Sequence, residues 1–122
     1  MRFDDGNEIG FPPLPQEPKL TRIGWKELLL GRGPFSGSSA TVHRECFEEI
    51  GLFDETLRAA EDRDMWMRIA YRFDTFQAPG FVHAYRMHGT NMSADPEHME
   101  RNIKRVLDKA REKLPVSAFL HA

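Results

Sequence analysis

The chain has 122 residues, of which 40% are hydrophobic and 30% are charged, and its net charge at pH 7 is -2. This length allows one small domain or part of a larger one, with enough apolar residues for a modest core. The charge argues against a nucleic-acid-binding protein, because such proteins are usually clearly basic. The single cysteine, Cys46, excludes an internal disulfide and favours a reducing compartment.

No segment is typical of membrane insertion or export. The longest aliphatic run covers only residues 28–30, which is far too short to span a bilayer. The amino terminus, MRFDDGNEIG, lacks the apolar core of a signal peptide. We therefore expect a cytoplasmic protein.

The first 18 residues predict a β-hairpin followed by a connector. In residues 1–11, Phe3 and Ile9 flank an Asp-Gly pair, which is a strong turn signal. Residues 12–18, PPLPQEP, hold four prolines and predict an extended connector. Because an isolated hairpin is only marginally stable, we expect the chain to begin in the middle of a fold.

Two short helices are predicted next, separated by a strand. Residues 24–31, GWKELLLG, predict a helix bounded by glycines, and residues 40–42 predict a strand after a Gly/Ser-rich stretch. Residues 43–50 predict a second helix that stops at Gly51. Its apolar side consists of Cys46, Phe47 and Ile50. The following segment predicts a loop around Phe53 and Leu57.

The clearest helix begins near residue 61. Apolar residues recur at the three- and four-residue spacing of a buried face, namely Met65, Trp66, Ile69 and Phe73. Three acids occupy its first turn: Glu61, Asp62 and Asp64. Acids at this position stabilise a helix through its dipole. Capping is therefore one interpretation of the acids, and a catalytic base is the other.

The last part of the chain predicts strand segments and then a long helix. Residues 73–89 alternate like strands and are broken at Pro79-Gly80. Residues 95–114 predict a helix with Asp95 as its cap and Pro96 at its first position. Its outer face is rich in Arg and Lys, which predicts a solvated surface partly neutralised by pairs such as Glu97 with Arg101. Attraction to an anionic membrane surface is the alternative interpretation.

Three features in chain order carry a family resemblance. They are the small residues Gly37-Ser38-Ser39, the acidic pair Glu61-Asp62, and the stretch YRMHGTN at residues 85–91. Together with FDDGNEIG, they resemble the second half of a family 2 glycosyltransferase with the nucleotide-sugar-binding GT-A fold. The resemblance extends to Ser93. It implies an α/β fold in which residues 1–122 are the C-terminal, catalytic-base half, with mixed sheet segments and three or four helices.

In this family, a sugar moves from a nucleotide-diphosphate donor to a hydroxyl acceptor such as a saccharide or a lipid-linked saccharide, with inversion. The reaction needs a base for the acceptor hydroxyl and neutralisation of the leaving diphosphate. The resemblance assigns the base to Asp62, beside Glu61. It implies a divalent metal, Mn or Mg, with His88 as a ligand, and Arg86 near the phosphates. A histidine bonded to backbone is the alternative for His88.

The resemblance also implies that small residues approach the substrate. Gly37, Ser38 and Ser39 allow the backbone to come close to a ligand, although an ordinary turn is nearly as good an interpretation. Trp66 is a core residue by its spacing, and in the family an aromatic near this place lines the acceptor site.

One family feature is missing from the sequence. The Asp-x-Asp motif that follows an apolar strand, and whose acids hold the metal, is not found: Asp62-Arg63-Asp64 has the letters, but it opens a predicted helix and no apolar strand leads into it. We therefore expect a fragment that is inactive alone and self-associates through exposed surfaces. A non-catalytic binding or regulatory remnant is the alternative, and an α/β interaction domain with an accidental resemblance is a third interpretation.

Overall fold

The computed structural model of the protein describes residues 13, 16–17, 19–33, 36–80 and 95–113. Within these ranges the chain forms four α-helices, one 3-10 turn and a two-stranded antiparallel sheet, which agrees with a mixture of helix and sheet. The predicted hairpin at residues 1–11 lies outside the described residues, as does most of the connector at 12–18. In chain order the elements are β1 (Thr21–Arg22), α1 (Trp25–Leu29), the 3-10 turn (Gly37–Ser39), α2 (Arg44–Ile50), α3 (Glu61–Arg72), β2 (Phe76–Gln77) and α4 (Pro96–Lys113).

The sheet is a short pairing of distant segments. Thr21 pairs with Gln77 and Arg22 pairs with Phe76. The Ile23 N–H donates to the Thr75 carbonyl at 3.0 Å and continues the contact. The strand predicted at residues 40–42 is wrong: Ala40 has extended dihedral angles, but these residues pair with no strand in the described part of the chain. Extended backbone becomes a strand only when a neighbour completes the hydrogen-bond ladder.

The helix boundaries follow the predicted local signals. At α1, the Glu27 Oε2 accepts a hydrogen bond from the Gly24 N–H at 2.9 Å, which satisfies a donor at the helix start. The α2 helix stops at Gly51, as predicted. At α4, the Asp95 Oδ1 accepts from the His98 N–H at 2.9 Å, so the predicted cap is confirmed.

Helix α3 is the centre of the described structure, because it contributes to both hydrophobic clusters. The first cluster joins it to α1, α4 and the loop before it, through Leu28, Leu57, Met67 and Val106. The second joins it to α2 through Cys46, Met65 and Ile69. Met65 and Val106 are completely buried, and Cys46 has the buried position predicted for it. Trp66 and Phe73 are half-buried.

A buried charge network, centred on Asp64, fastens α4 to α3. Asp64 is only 3% exposed. Its Oδ2 accepts from the Arg68 Nε at 2.9 Å, and its Oδ1 pairs with the Lys109 Nζ at 2.9 Å. Lys109 also binds the Asp54 Oδ2 at 2.7 Å. Asp64 is thus the first-turn acid that was predicted, and it also links two helices and a loop.

Helix α4 also holds the loop that leads into α3. The Arg58 N–H donates to the Asn102 Oδ1 at 3.4 Å, and the Arg105 guanidinium donates to the Thr56 carbonyl at 3.2 Å. Asn102 is buried, and its amide also donates to the His98 carbonyl at 2.9 Å. These contacts set the position of the chain immediately before the acidic pair.

Gly51, which ends α2, has a backbone conformation that favours glycine. Its φ of 83° and ψ of 178° lie in a region that is essentially restricted to glycine. We expect Gly51→Ala to lower the free energy of unfolding by about 1–3 kcal/mol, because a Cβ strains this backbone. No atom lies within 4 Å of that Cβ, so a clash would not contribute. Gly37→Ala is the control, since Gly37 lacks a positive φ; equal losses in urea unfolding of the two variants would contradict the explanation.

Candidate functional site

The acidic pair enters α3 through an unusual backbone conformation. Ala60, which immediately precedes Glu61, has φ 58° and ψ 21°, and it is the only non-glycine with positive φ in the described ranges. This left-handed conformation costs an alanine about 1 kcal/mol or more. Its methyl side chain cannot cap the helix, so the first-turn acids are the nearby groups that complement the exposed N–H groups.

Asp62 faces two backbone donors. Its Oδ1 accepts from the Arg63 N–H at 2.7 Å, and the Gly37 N–H also hydrogen-bonds to its carboxylate. Burial raises the pKa of Asp62 above its usual 3.8, and the negative charge of Glu61 adds to the increase, while the backbone N–H groups of Arg63, Gly37 and Asp62 itself oppose it. Burial prevails because desolvation penalises the charged form. A raised pKa makes the carboxylate a better proton acceptor near neutral pH.

The small-residue turn lies directly against this acid. Residues Gly37–Ser39 form one 3-10 turn, in which the Ser39 Oγ donates to the Ser36 carbonyl at 3.1 Å. A Cβ added to Gly37 would lie 4.0 Å from the Asp62 Cβ, which is van der Waals contact. Two of the features singled out in the sequence are therefore neighbours in the structure.

Trp66 lies one helical turn beyond Asp62 on the same side of α3. Its ring meets Phe53 edge to face, with centroids 6.0 Å apart, and it packs against both hydrophobic clusters. Part of it also lines a cleft of about 410 Å³, together with Ser36 and Ser39. Trp66 is thus a core residue, as its spacing predicts, and it also lines a cleft. Its role at an acceptor site stays a prediction.

Two contacts were missed by the sequence analysis: one at the start of α3, made by Arg63, and one in the Asp64 network, made by Asp54. The Arg63 Nη2 donates to the Leu29 carbonyl at 2.9 Å and joins the end of α1 to the start of α3. Burial lowers the pKa of Arg63. No sequence pattern marks this contact. Asp54 could have been recognised, because its Oδ1 accepts from the Thr56 N–H two residues later, at 3.0 Å, which is a typical Asx turn.

The metal half of the site is a prediction from the sequence alone. His88 and Arg86 lie outside the described residues. In the part of the chain that is described, no group of three or more His, Cys, Asp or Glu side chains could hold a metal ion. The assignments of His88 to a Mn or Mg ion and of Arg86 to phosphate therefore stay predictions.

Comparisons with protein-family models, with curated proteins and with solved structures found no match to this chain. Among the described helices, none is long and apolar enough to cross a membrane. What the chain does is therefore inferred from its own residues, above all from the contact between Asp62 and the Gly37–Ser39 turn.

Proposed function

We propose that the chain is the acceptor side of a glycosyltransferase with the GT-A fold, which moves a sugar from a nucleotide-diphosphate donor to a hydroxyl acceptor with inversion. The observation that carries the proposal is the half-buried Asp62, which has a raised pKa and touches the small-residue turn Gly37–Ser39. Capping alone leaves unexplained why an acid at a helix start is also packed against a distant glycine turn.

In the proposed reaction Asp62 is the general base. The acceptor oxygen attacks the anomeric carbon of the donor sugar, its proton passes to the Asp62 carboxylate, and the bond from that carbon to the diphosphate breaks. The backbone of the Gly37–Ser39 turn lets the acceptor approach closely. A bound divalent metal would neutralise charge on the diphosphate, and His88 and Arg86 are the residues proposed to face that group.

Binding of the acceptor can be tested on the chain itself by nuclear magnetic resonance. We expect at least one member of a panel of mono- and oligosaccharides to cause saturable amide shifts, concentrated at residues 37–39 and 61–66. Residues of α4 serve as the internal control, because α4 packs on α3 through Met67 and Asp64 and none of its residues lines the cleft beside the turn. If every saccharide leaves residues 37–39 and 61–66 unchanged, the acceptor-side assignment is wrong.

Catalysis by the purified chain tests a second part of the proposal. We expect no release of nucleotide diphosphate from a panel of nucleotide sugars with Mn²⁺ and saccharides, because the one Asp-x-Asp triplet, Asp62-Arg63-Asp64, opens helix α3 and does not follow an apolar strand. Sugar transfer by the chain alone would overturn that expectation. Acceptor binding without any binding of nucleotide diphosphate would favour the non-catalytic binding module.

A further inference from the structure

The cleft beside the acidic pair has a strongly apolar interior. Its volume of about 410 Å³ falls within the range of about 300–1,000 Å³ that is typical of small-molecule sites. Its walls come from residues on either side of β1, from α1, α2, α3 and β2, and from the segments before α2 and β2. The apolar residues that line it include Leu20, Ile23, Val42, Ile69, Phe73 and Phe76.

One of the polar parts of the cleft wall, formed by Ser36 and Ser39, lies at the turn that contacts Asp62. Polar residues that also line the cleft are Thr41, His43, Asp74 and Thr75. Ser36 and Ser39 line the cleft and flank Gly37, whose N–H faces the Asp62 carboxylate. Trp66, which also lines it, is four residues after Asp62 on α3, a separation of about 6 Å along the helix. Asp62 itself does not line the cleft, but Ser36, Ser39 and Trp66 bring one wall of it next to the group proposed to receive a hydroxyl proton.

We propose that the cleft binds the apolar part of the acceptor, so that the acceptor is an amphipathic alcohol: a hydroxyl-bearing head joined to a compact apolar body. This inference rests on the proposed function, because the head is placed at Asp62 by that function. The apolar body gains affinity from leaving water, and the head stays at the polar part of the wall formed by Ser36 and Ser39. A plain sugar would leave the apolar interior unfilled.

A series of alkyl β-D-glucosides, from methyl to octyl and each below its micelle concentration, tests the inference. The fluorescence of Trp66 reports the cleft in a Trp25→Phe background, since the chain has two tryptophans. We expect the dissociation constant to fall about fourfold for each methylene group that enters the cleft. Equal affinity along the series, or no binding of any glucoside, would overturn the inference. No binding is the result expected if a segment of protein fills the cleft.

Two leucines provide matched variants. Leu20 is 56% exposed and lines the cleft, whereas Leu30 is 54% exposed and lies elsewhere. We expect Leu20→Glu to weaken hexyl glucoside binding at least threefold and Leu30→Glu to leave it unchanged. Equal effects of both variants would contradict the assignment of the cleft.

Asp62→Asn separates this inference from the proposed function. If both are right, the variant binds every glucoside more weakly but keeps the dependence on alkyl length. Unchanged binding of all glucosides, with the length dependence intact, would reject the role of Asp62 and retain the cleft. If affinity does not depend on alkyl length in the unmutated chain, the cleft does not bind the apolar part of the acceptor. The role of Asp62 is then decided by the saccharide binding test.

Discussion

Replacing Lys109 with methionine should lower the free energy of unfolding by about 3 kcal/mol, the low end of the range for removing one partner of a buried ion pair. The low end applies because the Lys109 side chain is still 21% exposed. Its ammonium group binds both Asp54 and Asp64, at 2.7 and 2.9 Å. Methionine retains the apolar stem but leaves Asp64, which is nearly inaccessible to water, with Arg68 as its remaining charged partner in the network.

The same substitution should change how stability depends on pH. The Lys109 ammonium, followed by the Thr56 hydroxyl and N–H, lowers the pKa of Asp54 well below its ordinary range. A lowered pKa contributes stability that is present above the unfolded-state pKa and is lost as pH falls towards the folded-state value. Without the Lys109 ammonium, the pKa of Asp54 should lie closer to its ordinary value. The Lys109→Met variant should therefore lose less unfolding free energy as pH falls.

Urea unfolding followed by circular dichroism measures both effects. Lys104→Met is the matched control, because Lys104 lies exposed on the same helix. We expect the control to change the unfolding free energy by less than about 0.5 kcal/mol, as is usual for surface substitutions. Equal stabilities of the two variants would show that the buried network does not hold α4 to α3.

Asp62→Asn should weaken saccharide binding about five- to tenfold, the difference between a charged and a neutral hydrogen bond. The carboxylate forms charge-assisted hydrogen bonds, which contribute roughly 1.5–3 kcal/mol each, and asparagine replaces them with neutral ones. Asp108→Asn is the matched control, because Asp108 is an exposed acid on α4. Isothermal titration with the strongest binder from the saccharide panel measures the change. An unaltered dissociation constant for Asp62→Asn would remove the acid from the proposed site.

The same variant should be more stable than the unmutated chain at neutral pH. Burial raises the pKa of Asp62, so its contribution to stability is present below the unfolded-state pKa and is lost as pH rises through the folded-state value. Asparagine does not ionise, so the advantage of the variant should shrink as pH falls towards 3.8. A constant difference between the two proteins across this pH range would contradict the role of burial. A gain in stability with a loss of binding is typical of functional residues.

The helices were predictable because their signals are local. The apolar spacing and acidic first turn of α3, the Asp95-Pro96 start of α4 and the Gly51 stop of α2 each depend on residues within one or two turns. The strand predicted at residues 40–42 failed because ladder partners come from distant parts of the chain. The β1–β2 pairing, between residues far apart in sequence, could not be inferred for the same reason.

The site was predictable only in part. The resemblance selected Asp62 and Gly37, and the structure brings them together. The hydrogen bond from Arg63 to the Leu29 carbonyl could not be predicted, because it depends on how α1 packs on α3. Asn102 was also missed, because a polar residue in an apolar helix stripe gives no sign of the buried backbone group that it satisfies, here the Arg58 N–H. The roles of His88 and Arg86, and self-association of the chain, stay predictions.

The central claim is that Asp62 and the predicted metal ligand His88 face one site. Titration with Mn²⁺ and a nucleotide diphosphate tests it directly, since Mn²⁺ broadens the resonances of nearby nuclei. The account predicts broadening that is strongest at residues 37–39 and at Asp62, weak at Asp108, and abolished by His88→Ala but retained in His43→Ala. Broadening that survives His88→Ala, or that spares Asp62 while affecting other parts of the chain, would contradict it.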